Sequence, residues 1–323
     1  FVAPVWTRGV EQAEVVSPYP QPLRVTALGG SVATPPQGIE AEAALFDSYA
    51  ALLAAPAGSL AGRIAVVLQP MERASDGQFY GAMNPVRRSG PSEAARRGAV
   101  AYLMRSLGTD SHRLPHTGQL DYAEGIPRIP AAALSVPDAE QMARIALTGQ
   151  PIRLRLRLET GTAAPVVSRN VLAELTGRER PDEIVAVGAH LDSWDLGTGA
   201  VDDGAGIAII SAAASLIRDL PRRPRRTVRL VLFAAEEPGS LGAAAYVARL
   251  GDKGLARHVV VAESDFGAGP VRALTSFVNP EARDRFRTLL PVLAPLGITL
   301  GANNAFGGPD MAALRLRGVP VFG

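Results

Sequence analysis

Cysteine is absent from this sequence of 323 residues. Its absence excludes disulfide bonds, a thiol nucleophile and zinc sites that are built from thiolates. It also leaves the cellular compartment open, because cysteine usage is a main sequence signal for an oxidising environment. Histidine is scarce as well, with four residues, so a metal site would have to rely mainly on carboxylates.

Long apolar runs and lysine are also missing. No uninterrupted apolar run of about 18 residues occurs, so the sequence predicts no transmembrane helix. Lys253 is the single lysine, and the net charge is only +2, an excess too small to indicate a nucleic-acid partner. The densest basic run, in residues 222–226, is predicted to be a solvated loop.

Length and composition are typical of a globular protein with two domains, or with one domain and an insertion. Hydrophobic residues make up 47% of the chain and charged residues 20%. The sequence begins with Phe1 rather than methionine and stops in VPVFG, which has the pattern of a buried strand. We therefore expect both ends of the mature protein to lie outside this sequence.

Three segments can be distinguished along the chain. Residues 1–40 are rich in proline and β-branched residues and predict extended segments. Residues 41–160 predict a small αβ module that ends in the alternating strand IRLRLRL. Residues 161–323 alternate strands with helices, and one helix is predicted over residues 280–293. This alternation predicts an α/β domain with a mainly parallel or mixed sheet that is covered by helices.

Two histidines of the αβ module lie in the segment SHRLPHTG. His112 and His116 are four residues apart, a spacing at which they could share a metal ion on one face of a helix. Pro115 argues against a helix there, so we interpret both histidines as residues of a surface loop. A contact between His116 and a substrate stays an open alternative.

Metal-binding and acidic side chains follow two apolar, strand-like runs within residues 185–203 and 231–242. In an open α/β sheet, ligands bind beyond the carboxyl ends of the strands. Brought together there, so many carboxylates would repel one another unless a cation lay among them. The groups are His190, Asp192, Asp195, Asp202, Asp203, Glu236 and Glu237.

His190 is the first candidate ligand. It ends a predicted buried strand, where a lone histidine is more often a core residue. Asp192 follows two positions later, so on an extended backbone the two side chains face the same way. A carboxylate beside a histidine orients the ring for a metal ion. We therefore predict His190 as a ligand and Asp192 as its orienting partner.

Asp202 and Asp203 follow a glycine-rich turn and precede a predicted helix. One aspartate would suffice as a helix cap, so the second indicates a neutralising metal ion. The segment GTGAVDDGAG lacks the lysine of a P-loop and the spacing of the dinucleotide fingerprint, and its carboxylates would repel phosphate. These features argue against a nucleotide site.

Glu236 and Glu237 end the next apolar strand. Two adjacent buried glutamates are costly without a partner, so we predict that one binds metal and that the other acts as a general base. Asp265 ends a further strand and is the natural additional ligand. This sulfur-free set suits zinc, with manganese or cobalt as alternatives, and its several carboxylates favour two ions over one.

Three motifs carry a resemblance to a known family. HLDSWDLGTGAVDDGAG, AAEEPGSLG and ESDFG, in this order, resemble the M28 family of di-zinc exopeptidases. GSVATPPQGIEAE, PHTG and PRIPAAALSVPDAEQM add a resemblance to its carboxypeptidase Q branch, over nearly the whole chain. The resemblance implies a phosphorylase/hydrolase-like α/β/α sandwich in three layers. It makes residues 41–160 an inserted protease-associated domain, residues 1–40 the start of the peptidase domain and its lead-in, and residues 161–323 the zinc peptidase domain.

The resemblance also implies roles for individual residues. Asp202 would bridge two zinc ions, Glu236 would be the general base and Asp192 would assist catalysis. One more histidine ligand is expected beyond Gly323. The metal ligands that the resemblance implies within this sequence are His190, Asp202, Glu237 and Asp265.

The sequence therefore predicts a zinc-dependent exopeptidase that hydrolyses dipeptides or short peptides with a free N-terminus. Two alternatives stay open: a non-catalytic binding ectodomain on the same fold, and a single-zinc acyltransferase related to glutaminyl cyclases. Metal stoichiometry separates the acyltransferase from the peptidase. We expect a peptide substrate, no nucleic-acid partner, a homodimer, and a periplasmic or secreted bacterial location.

Overall fold

The structure is a computed structural model of the chain, and it describes residues 1–74 and 77–323. The chain divides into two compact units. The first unit is Pro4–Pro165, and the second consists of Phe1–Ala3 and Val166–Gly323. Each unit contains a sheet with apolar side chains buried on both faces.

The first unit is built on one large sheet with short helices. Its helices are α1 (Tyr49–Ala54), α2 (Gln78–Arg88), α3 (Gly90–Arg96) and α4 (Val136–Ala146). Its strands are β1 (Val2–Ser17), β2 (Gln21–Leu23), β3 (Val25–Ala27), β4 (Ile39–Phe46), β5 (Ile64–Val67), β6 (Ala101–Arg105), β7 (Ala131–Leu134) and β8 (Arg153–Val167).

The strand order of this eight-stranded sheet is β2-β1-β8-β4-β5-β6-β7-β3. The four strands β4 to β7 run parallel to one another, and β8 and β3 pair with them in the antiparallel sense. Met142 of α4 is buried in the core on one face of the sheet. Leu52 of α1 and Met83 of α2 are buried in the core on the other face.

The structure divides the chain differently from the sequence-based boundary at residue 40. Strands β1, β2 and β3 all belong to the eight-stranded sheet, in which β1 lies beside β8 and β3 pairs with β7. Residues 4–40 therefore belong to the first unit, whereas the sequence predicted them as the opening of the second. Residues 4–40 belong to the first unit because their strands form hydrogen bonds with strands more than 100 residues away. Such long-range pairing cannot be predicted from local composition.

The second unit contains a six-stranded sheet and a separate strand pair. Its helices are α5 (Gly204–Arg218), α6 (Leu241–Leu255), α7 (Pro280–Arg285), α8 (Leu290–Leu293) and α9 (Ala312–Arg315). Its strands are β9 (Val171–Leu175), β10 (Arg180–His190), β11 (Arg226–Phe233), β12 (His258–Glu263), β13 (Ala273–Leu274), β14 (Ser276–Phe277), β15 (Thr299–Leu300) and β16 (Val321–Phe322).

The six-stranded sheet is mixed and has the order β14-β16-β12-β10-β11-β9. Its central strands β10, β11 and β12 run parallel, and its two edge strands, β9 and β14, are antiparallel to their neighbours. Ala186 of β10 packs in one core with Ala243 of α6 and Leu314 of α9. Ala189 packs in the other core with Ile210 of α5. Helices therefore cover both faces of this sheet, as the alternation of strands and helices predicted.

The segment predicted as one helix over residues 280–293 is broken into shorter pieces. Helix α7 passes into a 3-10 helix at Phe286–Leu289, and α8 follows for one turn. Pro291 lies in α8 and lacks the N–H group that would bond to the preceding turn. Among the described residues, no helix is both long and apolar enough to cross a membrane.

Candidate metal centre

The candidate site lies at the carboxyl ends of the three central strands of the second unit. β10 ends in His190, and its parallel neighbours β11 and β12 lead into Glu236 and Asp265. The carboxyl ends of parallel strands lie at one edge of a sheet, so residues distant in sequence meet there. Gly188, two residues before His190, has no room for a Cβ, which would lie 2.6 Å from Cε of Met311.

The imidazole of His190 is fully buried between acceptor groups. Its Nδ1 lies 2.9 Å from the backbone carbonyl oxygen of Asp192. A carbonyl oxygen only accepts, so Nδ1 carries the hydrogen and Nε2 has the lone pair in the neutral ring. Nε2 lies 2.9 Å from Oδ1 of Asp202 and 3.1 Å from Oδ1 of Asp265. A lone pair that faces two carboxylates requires a cation, either a proton or a metal ion.

Electrostatics lead to the same conclusion. Burial lowers the pKa of His190, but its hydrogen bonds to the accepting carboxylates of Asp202 and Asp265 and the charges of nearby carboxylates outweigh burial. Together they raise the pKa of His190 to about 12. The carboxylates thus create a strong preference for positive charge at the imidazole, which a divalent cation bound to Nε2 would satisfy.

The adjacent aspartates have different surroundings. Asp203 is buried, and its Oδ1 and Oδ2 accept hydrogen bonds from the N–H groups of Gly206 and His190, each at 3.0 Å. It is thereby the N-cap of α5. Asp202 is more exposed, and its carboxylate contacts His190. The sequence indicated that one aspartate would suffice as a cap, and in the structure Asp203 is that cap.

Ligand atoms of His190, Asp203 and Asp265 lie within 4.8 Å of one another, close enough to surround one ion. Both oxygens of Asp203 accept backbone N–H groups, whereas the more exposed Asp202 directs its carboxylate to Nε2 of His190. The peptide bond between the two aspartates is cis. One imidazole and several carboxylates, without sulfur, form a donor set that suits zinc.

Asp192 acts differently from its predicted role. Its carboxylate lies 3.8 Å from Nδ1 of His190, beyond hydrogen-bond length, and its backbone carbonyl orients the ring instead. The carboxylate accepts the N–H groups of Glu236 and Glu237, at 3.0 and 3.2 Å. The prediction that the Asp192 carboxylate orients His190 is therefore wrong. It holds the backbone of the two glutamates.

Glu236 and Glu237 are both partly buried, and burial is the largest cause that raises the pKa of each carboxyl. The pKa of Glu236 rises to about 7: burial raises it most, the charge of His190 opposes the rise, and the charges of Asp265, Asp192 and Asp202 add to it. The pKa of Glu237 rises to about 8, with further contributions from Asp202 and Glu236. Both glutamates are therefore electrostatically part of the cluster around His190.

Sequence reasoning missed two buried acidic residues of this unit. Oε2 of Glu263 accepts the N–H groups of Asp310 and Met311, at 3.0 and 3.2 Å. Burial raises the pKa of both Glu263 and Asp310. Both oxygens of the Asp310 carboxyl lack a hydrogen-bond partner among the described residues. Glu263 opens the ESDFG motif, but nothing in the sequence indicates that it meets Asp310, which lies 47 positions further along the chain.

His116 belongs to the first unit. Its Nε2 lies 2.8 Å from Oη of Tyr80, which accepts a hydrogen bond of 2.8 Å from Arg87. Tyr80 thus connects His116 to Arg87 through two hydrogen bonds. Gly118 packs directly against the Arg87 guanidinium, so the loop around His116 has a defined conformation.

Comparisons with known proteins identify the family to which the chain belongs. Residues 170–323 match the sequence profile of Peptidase family M28. The crystal structure of a peptidase M28 precursor from Shewanella amazonensis SB2B is 47% identical, with a TM-score of 0.95. The alignment covers 99% of this chain and 72% of that chain. The chain belongs to peptidase family M28. The resemblance stated from the motifs is thereby confirmed.

One curated relative and one further solved structure are also similar to this chain. Carboxypeptidase Q of Rattus norvegicus is 40% identical over 304 residues, which are 94% of this chain and 63% of that protein. The chain thus spans less than two thirds of the length of this curated relative. A zinc aminopeptidase from Bacillus subtilis is 20% identical with a TM-score of 0.64, over 99% of this chain and 74% of that chain. It shares the fold.

Proposed function

We propose that this chain forms the core of a zinc-dependent exopeptidase of the carboxypeptidase Q type. The observation that carries the proposal is the buried imidazole of His190, whose Nε2 faces the carboxylates of Asp202 and Asp265. Membership of family M28 and the names of the relatives, carboxypeptidase Q and zinc aminopeptidase, support it.

The residues present fit about two zinc ions, as their several carboxylates favour. Manganese or cobalt would suit the same donors. When bound, the ions would polarise the scissile carbonyl group and acidify the attacking water. The proposed ligands are His190, Asp202, Glu237 and Asp265.

Glu236 is the proposed general base. Its pKa of about 7 lets the carboxylate accept a proton from water near neutral pH and then deliver that proton to the leaving amine. Asp192 supports this role, because its carboxylate fixes the backbone N–H groups of Glu236 and Glu237.

The substrates that we propose are dipeptides or short peptides with a free N-terminus. The first unit would be a protease-associated domain, and His116 would contact the substrate. The hydrogen bond with Tyr80 supports this role, because it holds the His116 ring in a defined orientation. A homodimer and a periplasmic or secreted location complete the proposal.

Metal content and peptide hydrolysis test the proposed function together. We expect about two zinc ions per chain, and hydrolysis of a dipeptide panel that chelation removes and zinc restores. One zinc ion per chain, with cyclisation of N-terminal glutamine, would instead indicate the acyltransferase. Absence of both bound metal and turnover would favour a binding ectodomain.

Replacement of the general base separates catalysis from metal binding. Glu236→Gln should retain zinc and lose about 100-fold or more in kcat, because the amide cannot accept the proton from water. Glu281→Gln, an exposed change of the same kind in α7, is the matched control and should leave kcat unchanged. Full activity of Glu236→Gln would refute this mechanism.

A further inference from the structure

The loop that connects β11 to α6 carries both glutamates of the candidate site. Its two ends, Ala234 and Gly242, are joined by one side chain. Oδ1 of Asn170 accepts the N–H group of Ala234 at 3.0 Å, and Nδ2 of Asn170 donates to the carbonyl oxygen of Gly242 at 2.8 Å. A single amide group thus closes the loop of residues 234–242.

The sheet holds Asn170 itself in position. It directly precedes β9, and the first pair of that strand with β11 is Val171 with Leu232. Asn170 therefore lies beside the end of β11, where the loop begins. Because the ladder of hydrogen bonds anchors the adjoining Val171, the side chain of Asn170 is well placed to bond to both ends of the loop.

The closed loop is tightly packed and strained. A Cβ on Gly242 would lie 2.3 Å from the carbonyl oxygen of Ala234 and 2.4 Å from Oδ1 of Asn170, so the ends approach as closely as glycine permits. Ala235 has a φ of 58°, in the left-handed region that residues with a Cβ disfavour. Such a conformation persists only where surrounding contacts impose it.

We propose that Asn170 is a positioning residue for Glu236, which it serves by holding Ala235 in this conformation. The inference rests on the proposed function. Ala235 directly precedes Glu236, so a change of its φ would turn the Glu236 side chain away from its place. The Asp192 carboxylate holds the middle of the loop through two N–H groups, and Asn170 holds its ends. Both restraints are needed, because neither one alone fixes the direction in which the chain enters Glu236.

Asn170→Asp is the most selective change. It preserves the shape of the side chain and the acceptor for the Ala234 N–H group. It replaces the donor to Gly242 with an oxygen, which the carbonyl oxygen of Gly242 repels. Asn170→Ala removes the hydrogen bonds to both Ala234 and Gly242. It replaces Asn170→Asp in the experiments below if the aspartate variant does not fold.

Asn303 provides a matched control in the same unit. Its Oδ1 accepts from Oγ of Ser276 and from the N–H group of Val278, at 2.8 and 3.1 Å, and its Nδ2 donates to the Val278 carbonyl oxygen at 2.8 Å. Asn303→Asp therefore makes the same chemical change in a similar clamp. We expect it to leave the 234–242 loop and kcat unaffected.

Hydrogen exchange of the metal-free full chain tests the restraint without reference to activity. In Asn170→Asp, the amides of the 234–242 peptide should exchange about ten-fold faster or more, whereas in Asn303→Asp they should exchange as in the wild type. Equal acceleration of this peptide by both variants, or by neither, would overturn the proposal.

Kinetics test whether the restraint acts through Glu236. With zinc, Asn170→Asp should lower kcat by up to about 100-fold with little change in KM, as expected for a misplaced catalytic group. In a Glu236→Gln background it should lower the residual kcat no further, because the residue it positions is already inactive. An equal loss in both backgrounds would overturn the proposal. A wild type without turnover would refute the proposed function instead, while hydrogen exchange would still decide whether Asn170 holds the loop.

Discussion

Substitution of Gly206 by alanine tests how closely α5 approaches the segment that follows β12. A Cβ at this position would lie 1.9 Å from the carbonyl oxygen of Ser264 and 2.2 Å from Oδ1 of Asp203, whereas real Cβ contacts stay beyond 3.0 Å. The first obstacle is backbone, and the second is the buried N-cap carboxylate, so rotation of a flexible side chain cannot relieve the overlap. Gly206→Ala must therefore separate the helix from the strand that leads into Asp265.

The magnitude follows from opposing contributions. Overpacking of this kind costs about 3 kcal/mol at the upper end of the usual range, and displacement of the Asp203 cap costs about 1 kcal/mol more. Alanine offsets about 1 kcal/mol, because glycine is the poorer helix former. We expect the free energy of unfolding to fall by about 3 kcal/mol, together with weaker zinc binding, because Ser264 adjoins the proposed ligand Asp265.

Urea unfolding and a zinc titration of the full chain measure both effects. Gly81→Ala in α2 is the matched control, because nothing lies within 4 Å of its Cβ position. That change should be neutral or stabilise the chain by up to about 1 kcal/mol. If Gly206→Ala unfolds at the same urea concentration as the wild type, the close approach described here is incorrect.

Three further predictions concern charge and backbone conformation. The pKa of Glu236 and of Glu237 is raised to about 7 and about 8, so between about pH 4.5 and 8 the folded chain binds more protons than the unfolded chain. The metal-free chain should therefore lose stability as pH rises through this range, and saturating zinc should reduce this pH dependence in urea titrations at several pH values. Asp192→Asn removes a negative charge that raises the pKa of Glu236, so the acid limb of the kcat–pH profile should move to lower pH; an unmoved limb would contradict the assignment of Glu236. Gly118→Ala should lower the free energy of unfolding by about 2 kcal/mol or more, because Gly118 has a φ of +147° and the added Cβ would lie 2.2 Å from Nη1 of Arg87. A variant as stable as the wild type in urea unfolding would refute this prediction.

The strand-end positions of the site could be predicted from sequence because they depend on local pattern. The apolar runs before His190 and Glu236 predicted buried strands, and both are central strands of the sheet. Once the strands are taken to be parallel neighbours, their carboxyl ends must lie at the same edge of the sheet. The residues that follow those strands were therefore predictable as one cluster.

Contacts that depend on tertiary packing were not predictable in the same way. Alternation along a strand placed Asp192 near His190, but it could not show that the Asp192 backbone, rather than its carboxylate, would orient the ring. Asn170 contacts residues 64 and 72 positions further along the chain, so no spacing in the sequence reveals it. Glu263 and Asp310 meet only because α9 packs near the end of β12.

The separation of the site residues along the chain has a consequence for folding. The contact between His190 and Asp265 spans 75 positions, and it forms only after β12 has paired with β10. Contacts of such long range are established late, because the entropy of closing long loops must be overcome first. A bound ion would thus act on a completed sheet, so it would slow unfolding much more than it accelerates folding. The ion would therefore stabilise the native chain mainly by lowering its unfolding rate, and it would contribute little to the folding nucleus.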